Sequence, residues 1–186
     1  MVEVLPSVLM DDVTPASVPP PGAAWLRQAF RLYPSGVAIV TALTPAGPVG
    51  LTVSSLASVS AEPPVVSFSV STATRSAGAI LAAADVAVHV LPVGRAALAD
   101  AFARSGAPRF TPEEGWVMGP DAPPHLPDAV VSLAGTVRET VPVAGSTLVL
   151  VDVVATTIGP PAEPLLHLDR AYRVVGPAID REDLSR

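Results

Sequence analysis

Between Gly47 and Ser76 the chain reads GPVGLTVSSLASVSAEPPVVSFSVSTATRS, a frame of buried strand crowded with hydroxyls. A wholly apolar strand would fill a core equally well, so the serines and threonines call for another reason. Val49, Leu51 and Val53 alternate with Gly50 and Thr52 in the period of two of a half-buried strand, and Ser54, Ser55, Ser58 and Ser60 follow at once. Hydroxyls donate and accept hydrogen bonds, and small side chains let backbone N–H groups approach a ligand. Such a stretch suits a polar heterocycle and a phosphate. The other reading of the same residues is a strand edge with its serines turned to water.

Arg75 is the second signal. Pro63 and Pro64 close the hydroxyl-rich stretch, Val65 to Val70 reads as a further strand, and Thr72, Thr74, Arg75 and Ser76 lead into a helical run from Ala77 to Ala84. A permanent cation among hydroxyls at a helix start is a seat for an anion, because free N–H groups and the helix dipole add to the guanidinium charge. A lone arginine in that place is also commonly just solvated. The three histidines are isolated, with no acidic residue recurring at ligand spacing, so no metal site is expected. His89, mid-strand in ValHisValLeu, suits a hydrogen-bonded structural role. His125 lies in a long loop, and His167, in LeuLeuHisLeuAsp, is expected half-buried near the last strand.

Composition narrows the function classes. The chain has 186 residues, a length suited to one domain with a real core. Its net charge is −6, and its 11 basic residues, all arginine, are scattered, so no nucleic-acid footprint is expected. The absence of cysteine removes disulfides, thiolate metal sites and any redox-active Cys pair. No apolar run is long enough to cross a bilayer without a charge or a proline, so no membrane partner is expected. The start, MVEVLPSVLMDD, carries a glutamate where a signal peptide would be positive, and the expected location is cytoplasmic.

The elements that must position these residues are mostly strands. Residues 1 to 22, with the run Pro19, Pro20, Pro21, Gly22, are expected as an extended or poorly ordered arm, followed by a single domain over 23–178 and a polar tail over 179–186. Trp25, Leu26, Ala29, Phe30 and Leu32 recur near helical spacing and predict a short amphipathic helix ended before Pro34. Gly36 to Val53 predicts a hairpin around ProAlaGlyPro at 45–48. A strand at Val86 to Leu91, a helix at Arg95 to Ala103 and a long loop from Ser105 to Pro127, packed through Phe110 and Trp116, come next. Val130 to Arg138 and Thr147 to Ile158 predict strands joined by AlaGlySer at 144–146, with a last short strand at Tyr172 to Val175. The fold class is mainly β, a closed or nearly closed barrel with a few peripheral helices.

TyrProSerGlyVal at 33–37, IleValThr at 39–41, ValGlyLeuThrValSerSerLeuAlaSerValSer at 49–60, ProProVal at 63–65 and ValAlaValHisValLeu at 86–91 occur in order, and the chain thereby resembles the flavin reductase family. The resemblance implies an FMN-binding split β-barrel, with FMN or FAD as the flavin and NADH or NADPH as the hydride donor. Carried over from the family's matching motif, Thr52, Val53, Ser54 and Ser55 contact the flavin ring and ribityl chain. Ser71, Arg75 and Ser76 match its phosphate region. No catalytic acid, base or nucleophile is implied, since the flavin carries the chemistry. A homodimer and a flavin-dependent monooxygenase that receives the reduced flavin are the implied partners.

Two departures from the family stand out. His89 replaces a usual asparagine. Gly145, Ser146 and Thr147 stand where many members have GlyAspHis, a histidine linked to hydride-transfer geometry. A flavin-binding carrier or structural dimer without NAD(P)H turnover is therefore the rival reading. A pyridoxamine-phosphate oxidase relative is disfavoured by the few cations available for a second phosphate.

Overall fold

The computed structural model describes residues 22–178. The expected N-terminal arm, apart from Gly22, and the expected tail lie outside the described residues. In chain order the strands are β1 Ser35–Gly36, β2 Ala38–Thr44, β3 Gly47–Val53, β4 Ala57–Ala61, β5 Pro64–Ser71, β6 Asp85–Val90, β7 Val131–Val143, β8 Ser146–Ile158, β9 Leu166–Leu168 and β10 Ala171–Arg173. The helices are α1 Ala23–Arg31, α2 Arg75–Leu81 and α3 Ala96–Ala103. None of them is long and apolar enough to cross a membrane.

Seven strands form one antiparallel sheet in the order β3-β2-β6-β7-β8-β5-β4, and β1, β9 and β10 form a second, small sheet. The edge strands β3 and β4 are consecutive in the chain and joined only by residues 54–56, so the sheet must curl until its two ends approach. They do not pair. The result is a barrel with a seam, closed at one point where the Ser55 hydroxyl donates to Ser69 O at 3.2 Å and accepts from Ser69 N–H at 2.9 Å.

Alternation along the strands makes two cores. Val40, Val53, Phe68, Val88, Val149 and Val151 fill the barrel interior, and Ala77 and Ile80 of α2 plug it from one end. The residues between them face outward. Ile39 and Leu91 pack there with Leu98 and Phe102 of α3, with Leu126 of the long loop, and with Leu165 beside the small sheet. Gly50, outward on β3, leaves room for this layer: a Cβ there would stand 2.7 Å from the Phe102 ring.

Helix α1 is amphipathic as its spacing predicts, yet none of its residues is buried within the chain. Its exposed apolar residues include Trp25, Leu26 and Phe30, at 51%, 63% and 62% exposure. What ties it down is polar. Arg31 bridges Asp169 at 2.6 Å, and Asp169 N–H donates back to Arg31 O at 3.0 Å.

The long loop, residues 105–127, is pinned to the outer face of the sheet. Phe110 and Trp116 lie 5.1 Å apart and both stack on Phe102. Below them His89 is fully buried, as a structural histidine should be. Pro124 O can only accept, so His89 Nε2–H donates to it at 3.0 Å, and Nδ1 accepts from the Ser132 hydroxyl at 2.8 Å. Thr41 donates to the same carbonyl at 2.8 Å. Burial pulls the imidazole down to about 4, against the raising effect of the Pro124 carbonyl.

Above pH 6.5 the ring is neutral whether folded or not; below it the unfolded chain takes a proton that the folded one refuses. Stability should fall by about 3 kcal/mol between pH 6.5 and pH 4 on this account. Urea denaturation across that range, with His89→Asn beside the parent, checks it. The variant's stability should vary less with pH, and identical slopes would count against the assignment.

Candidate functional site

The seam decides where a ligand can lie. As an edge strand, β3 presents a row of N–H and C=O groups that no neighbouring strand uses. A cleft of about 410 Å³ runs along that edge, bounded by Leu51, Thr52 and Val53 on one side and by Ser69 and Ser71 of β5 on the other. Thr74, Arg75 and Ser76 close one end, where the Thr74 side chain caps α2 by accepting from Ala77 N–H at 3.2 Å. A second cleft, about 780 Å³, meets it at Ser69 and has Ser54 and Ser55 on its near side. Tyr33, Pro34, Ser35 and His167 form its far wall.

All seven residues singled out in the sequence line one or other cleft: Thr52, Val53, Ser71, Arg75 and Ser76 the first, Ser54 and Ser55 the second. Their side chains are not equally free. Thr52 donates to Ala99 O at 2.7 Å, and Ser55 is engaged with Ser69, so both hydroxyls serve the fold. Val53 is 5% exposed with its side chain in the barrel. What these positions offer a ligand is therefore chiefly main chain.

Arg109 escaped the sequence reading. It comes from the long loop and lines the first cleft together with Arg75. Its guanidinium donates to Ser76 Oγ at 2.8 Å, Gly50 O at 2.9 Å, Arg104 O at 2.6 Å and Ala101 O at 3.3 Å, and it lies over the Phe102 ring. Every one of these acceptors is neutral. Burial pulls the guanidinium below its ordinary value, and among the described residues no carboxylate lines the cleft to offset the charge. The next residue, Phe110, has φ of 58°, an unusual backbone for a bulky side chain. That turn sends Phe110 into the aromatic cluster and Arg109 into the cleft. The legible trace was a cation beside an aromatic residue inside a long packed loop.

Among the described residues the first cleft thus carries Arg75 and Arg109 against no acidic residue. Arg75 is exposed and takes part in none of the ion pairs among the described residues. Both guanidinium groups, with the hydroxyls of Ser71 and Ser76, make a seat for a dianion at the end of a polar groove.

The histidines separate clearly. His89 and His125 line neither cleft; their rings pack on each other 5.7 Å apart, and His125 is held by a two-way backbone pairing with Val117. His167 pairs with Ser35 across β1 and β9 and lines the second cleft, a role that its place in the sequence did not reveal. Ser146 and Thr147 line neither cleft. Their turn has another use: Gly145 O accepts from both Thr72 N–H and Thr72 Oγ1, at 3.0 and 3.1 Å, and so steadies the link from β5 to α2. Among the described residues no cluster of His, Asp or Glu could hold a metal ion.

This geometry has relatives. The chain is 38% identical over 124 residues to an NADH:FMN oxidoreductase of Rhodococcus qingshengii, a match covering 67% of this chain and 65%, just under two thirds, of that protein. Its fold superposes on the Streptomyces globisporus C-1027 NADH:FAD oxidoreductase, solved with NAD and FAD fragments, with TM-score 0.77 and 29% identity over 84% of this chain and 94% of the other. The styrene monooxygenase flavin reductase of Pseudomonas putida S12 matches with TM-score 0.73 and 27% identity, over 83% and 99% of the two chains. The model of the flavin reductase like domain matches residues 30–176, most of the described chain and every residue of both candidate cleft motifs, and the chain belongs to that family.

Proposed function

We propose that residues 23–178 act as one NAD(P)H:flavin oxidoreductase domain, passing a hydride from NADH or NADPH to FMN or FAD seated along the seam. The observation that carries this reading is the first cleft itself: an open strand edge leading to two guanidinium groups with no carboxylate beside them. A flavin nucleotide needs that sequence of surfaces, main-chain donors and acceptors for its polar ring edge and positive charge for its phosphate.

Arg75 and Arg109, with Ser71 and Ser76, would hold the phosphate, and the main chain of Thr52, Val53, Ser54 and Ser55 would run along the ring and ribityl chain. The flavin held there would supply the hydride-accepting chemistry, so no protein acid or nucleophile is needed. The chain's own work is to hold one ring face against β3, neutralise the phosphate and leave the second cleft open for the nicotinamide. Ser146 and Thr147 line neither cleft, and hydride transfer needs chiefly stacking and a short donor-to-acceptor distance.

The similarity to the styrene monooxygenase reductase supports a flavin-dependent monooxygenase as the recipient of reduced flavin. The apolar side of α1 supports a homodimer, since Trp25, Leu26 and Phe30 stay more than half exposed among the described residues. A dinucleotide donor and a diffusible flavin fit a cytoplasmic setting.

Four outcomes are expected. Purified protein should consume NADH or NADPH in at least one pairing with FMN or FAD, read by loss of the reduced-nicotinamide absorbance; silence in all four pairings would leave only the carrier reading. Light scattering should report a dimer, and Trp25→Glu with Phe30→Glu should return it to a monomer; a monomeric parent would remove the dimer. Arg75→Ala should weaken flavin binding about tenfold or more with an unchanged urea midpoint. Arg109→Ala should weaken it similarly and also cost about 2 kcal/mol of stability, because its four hydrogen bonds tie β3, α2 and α3 together.

A further inference from the structure

A third hollow, about 580 Å³, continues beyond the second cleft between α1 and the β9–β10 turn. The two share four residues, Arg27, Arg31, Asp169 and Arg170, which therefore stand at their junction. Arg31 and Asp169 neutralise each other at 2.6 Å. Arg27 and Arg170 enter no ion pair among the described residues, and no other acidic residue lines either hollow. The junction carries a net charge of two positive units.

Arg170 is also held in place by its backbone. Leu168 and Ala171 pair directly, so Asp169 and Arg170 form a two-residue hairpin turn, with φ of 49° and 61°. Turns of that kind favour Asn or Gly, and ordinary side chains adopt them at some cost. The hydrogen bond from Asp169 N–H to Arg31 O and the Arg31–Asp169 bridge hold the turn against α1. Arg170 is thus carried on the rigid junction of two elements, and Arg27 sits one helical turn before Arg31 on the same face of α1.

We infer that Arg27 and Arg170 bind the diphosphate of the dinucleotide hydride donor, with the nicotinamide riboside in the second cleft and the adenosine in the third hollow. This rests on the reductase reading of the seam. Two adjoining hollows joined at a doubly positive neck match a molecule made of two nucleosides joined by a doubly negative linker. Ser69 lines both the first and the second cleft, which puts the nicotinamide end next to the flavin groove.

The test compares the parent, Arg27→Ala, Arg170→Ala and Arg170→Lys with two donors: NADH, and 1-benzyl-1,4-dihydronicotinamide, which has no phosphate. Each alanine variant should raise KM for NADH about tenfold or more, with kcat within about twofold. The benzyl donor should not distinguish the variants, and Arg170→Lys should recover much of the loss. Calorimetric titration with ADP-ribose, which has the diphosphate but no nicotinamide, should show binding weakened by the same factor. Equal losses with both donors would mean a general structural effect and overturn the inference, as would no change with either. If the parent oxidises neither donor, the reductase reading fails, and the ADP-ribose titration still decides the arginine site by itself.

Discussion

The structure depends on one unmade pairing. β3 and β4 follow each other in the chain yet sit at opposite ends of a seven-stranded sheet. Curling brings those ends together without joining them, and the short Ser54–Leu56 link crosses the gap. A fully closed barrel would have used the β3 edge in a ladder. Left open, it supplies unpaired main-chain groups at the one place where helix α2 and the long loop also deliver their arginines. Ser55, bonded twice to Ser69, ties the link to β5, and Ser69 lines both clefts.

Elements far from the seam serve it indirectly. His89, Thr41 and Ser132 do no chemistry at the clefts; they hold Pro124, and with it the loop that carries Arg109. Gly50 plays a similar part by its lack of a side chain, which lets Phe102 lie on β3 and leaves Gly50 O within reach of the Arg109 guanidinium. The half-buried Arg109 guanidinium is paired with carbonyls and a hydroxyl rather than with an acid, so its charge remains available to an anion. The small sheet does the same for the second cleft, placing His167 and Arg170 opposite Ser54 and Ser55.

Much of this was legible in the sequence. A period of two marked β3, apolar and β-branched runs marked β2, β5, β6 and β8, and the hydroxyl-rich run with its following arginine marked a ligand site before any fold was known. Other features were silent for physical reasons. β1 and β9 are two and three residues long, too short to show a period. β4 is mostly exposed and carries no apolar stripe. β7 runs on past Arg138 to Val143 because its ladder with β8 continues after a shift in register, not because its sequence demands a strand. Arg109 depends on a left-handed backbone at Phe110, and Arg170 on a turn locked by an ion pair far away in sequence. Both are tertiary facts, which local spacing does not encode.

The central claim is that flavin binds along the open edge of β3 and ends at Arg75 and Arg109. Backbone hydrogen exchange, followed by mass spectrometry with and without saturating FMN, tests it most directly because it reads the main-chain groups concerned. Peptides covering Leu51–Ser55 and Ser69–Ser76 should exchange more slowly with FMN present, and those from the small sheet should change less. FMN binding without added protection at Leu51–Ser55, or with protection centred elsewhere on the barrel, would contradict the account.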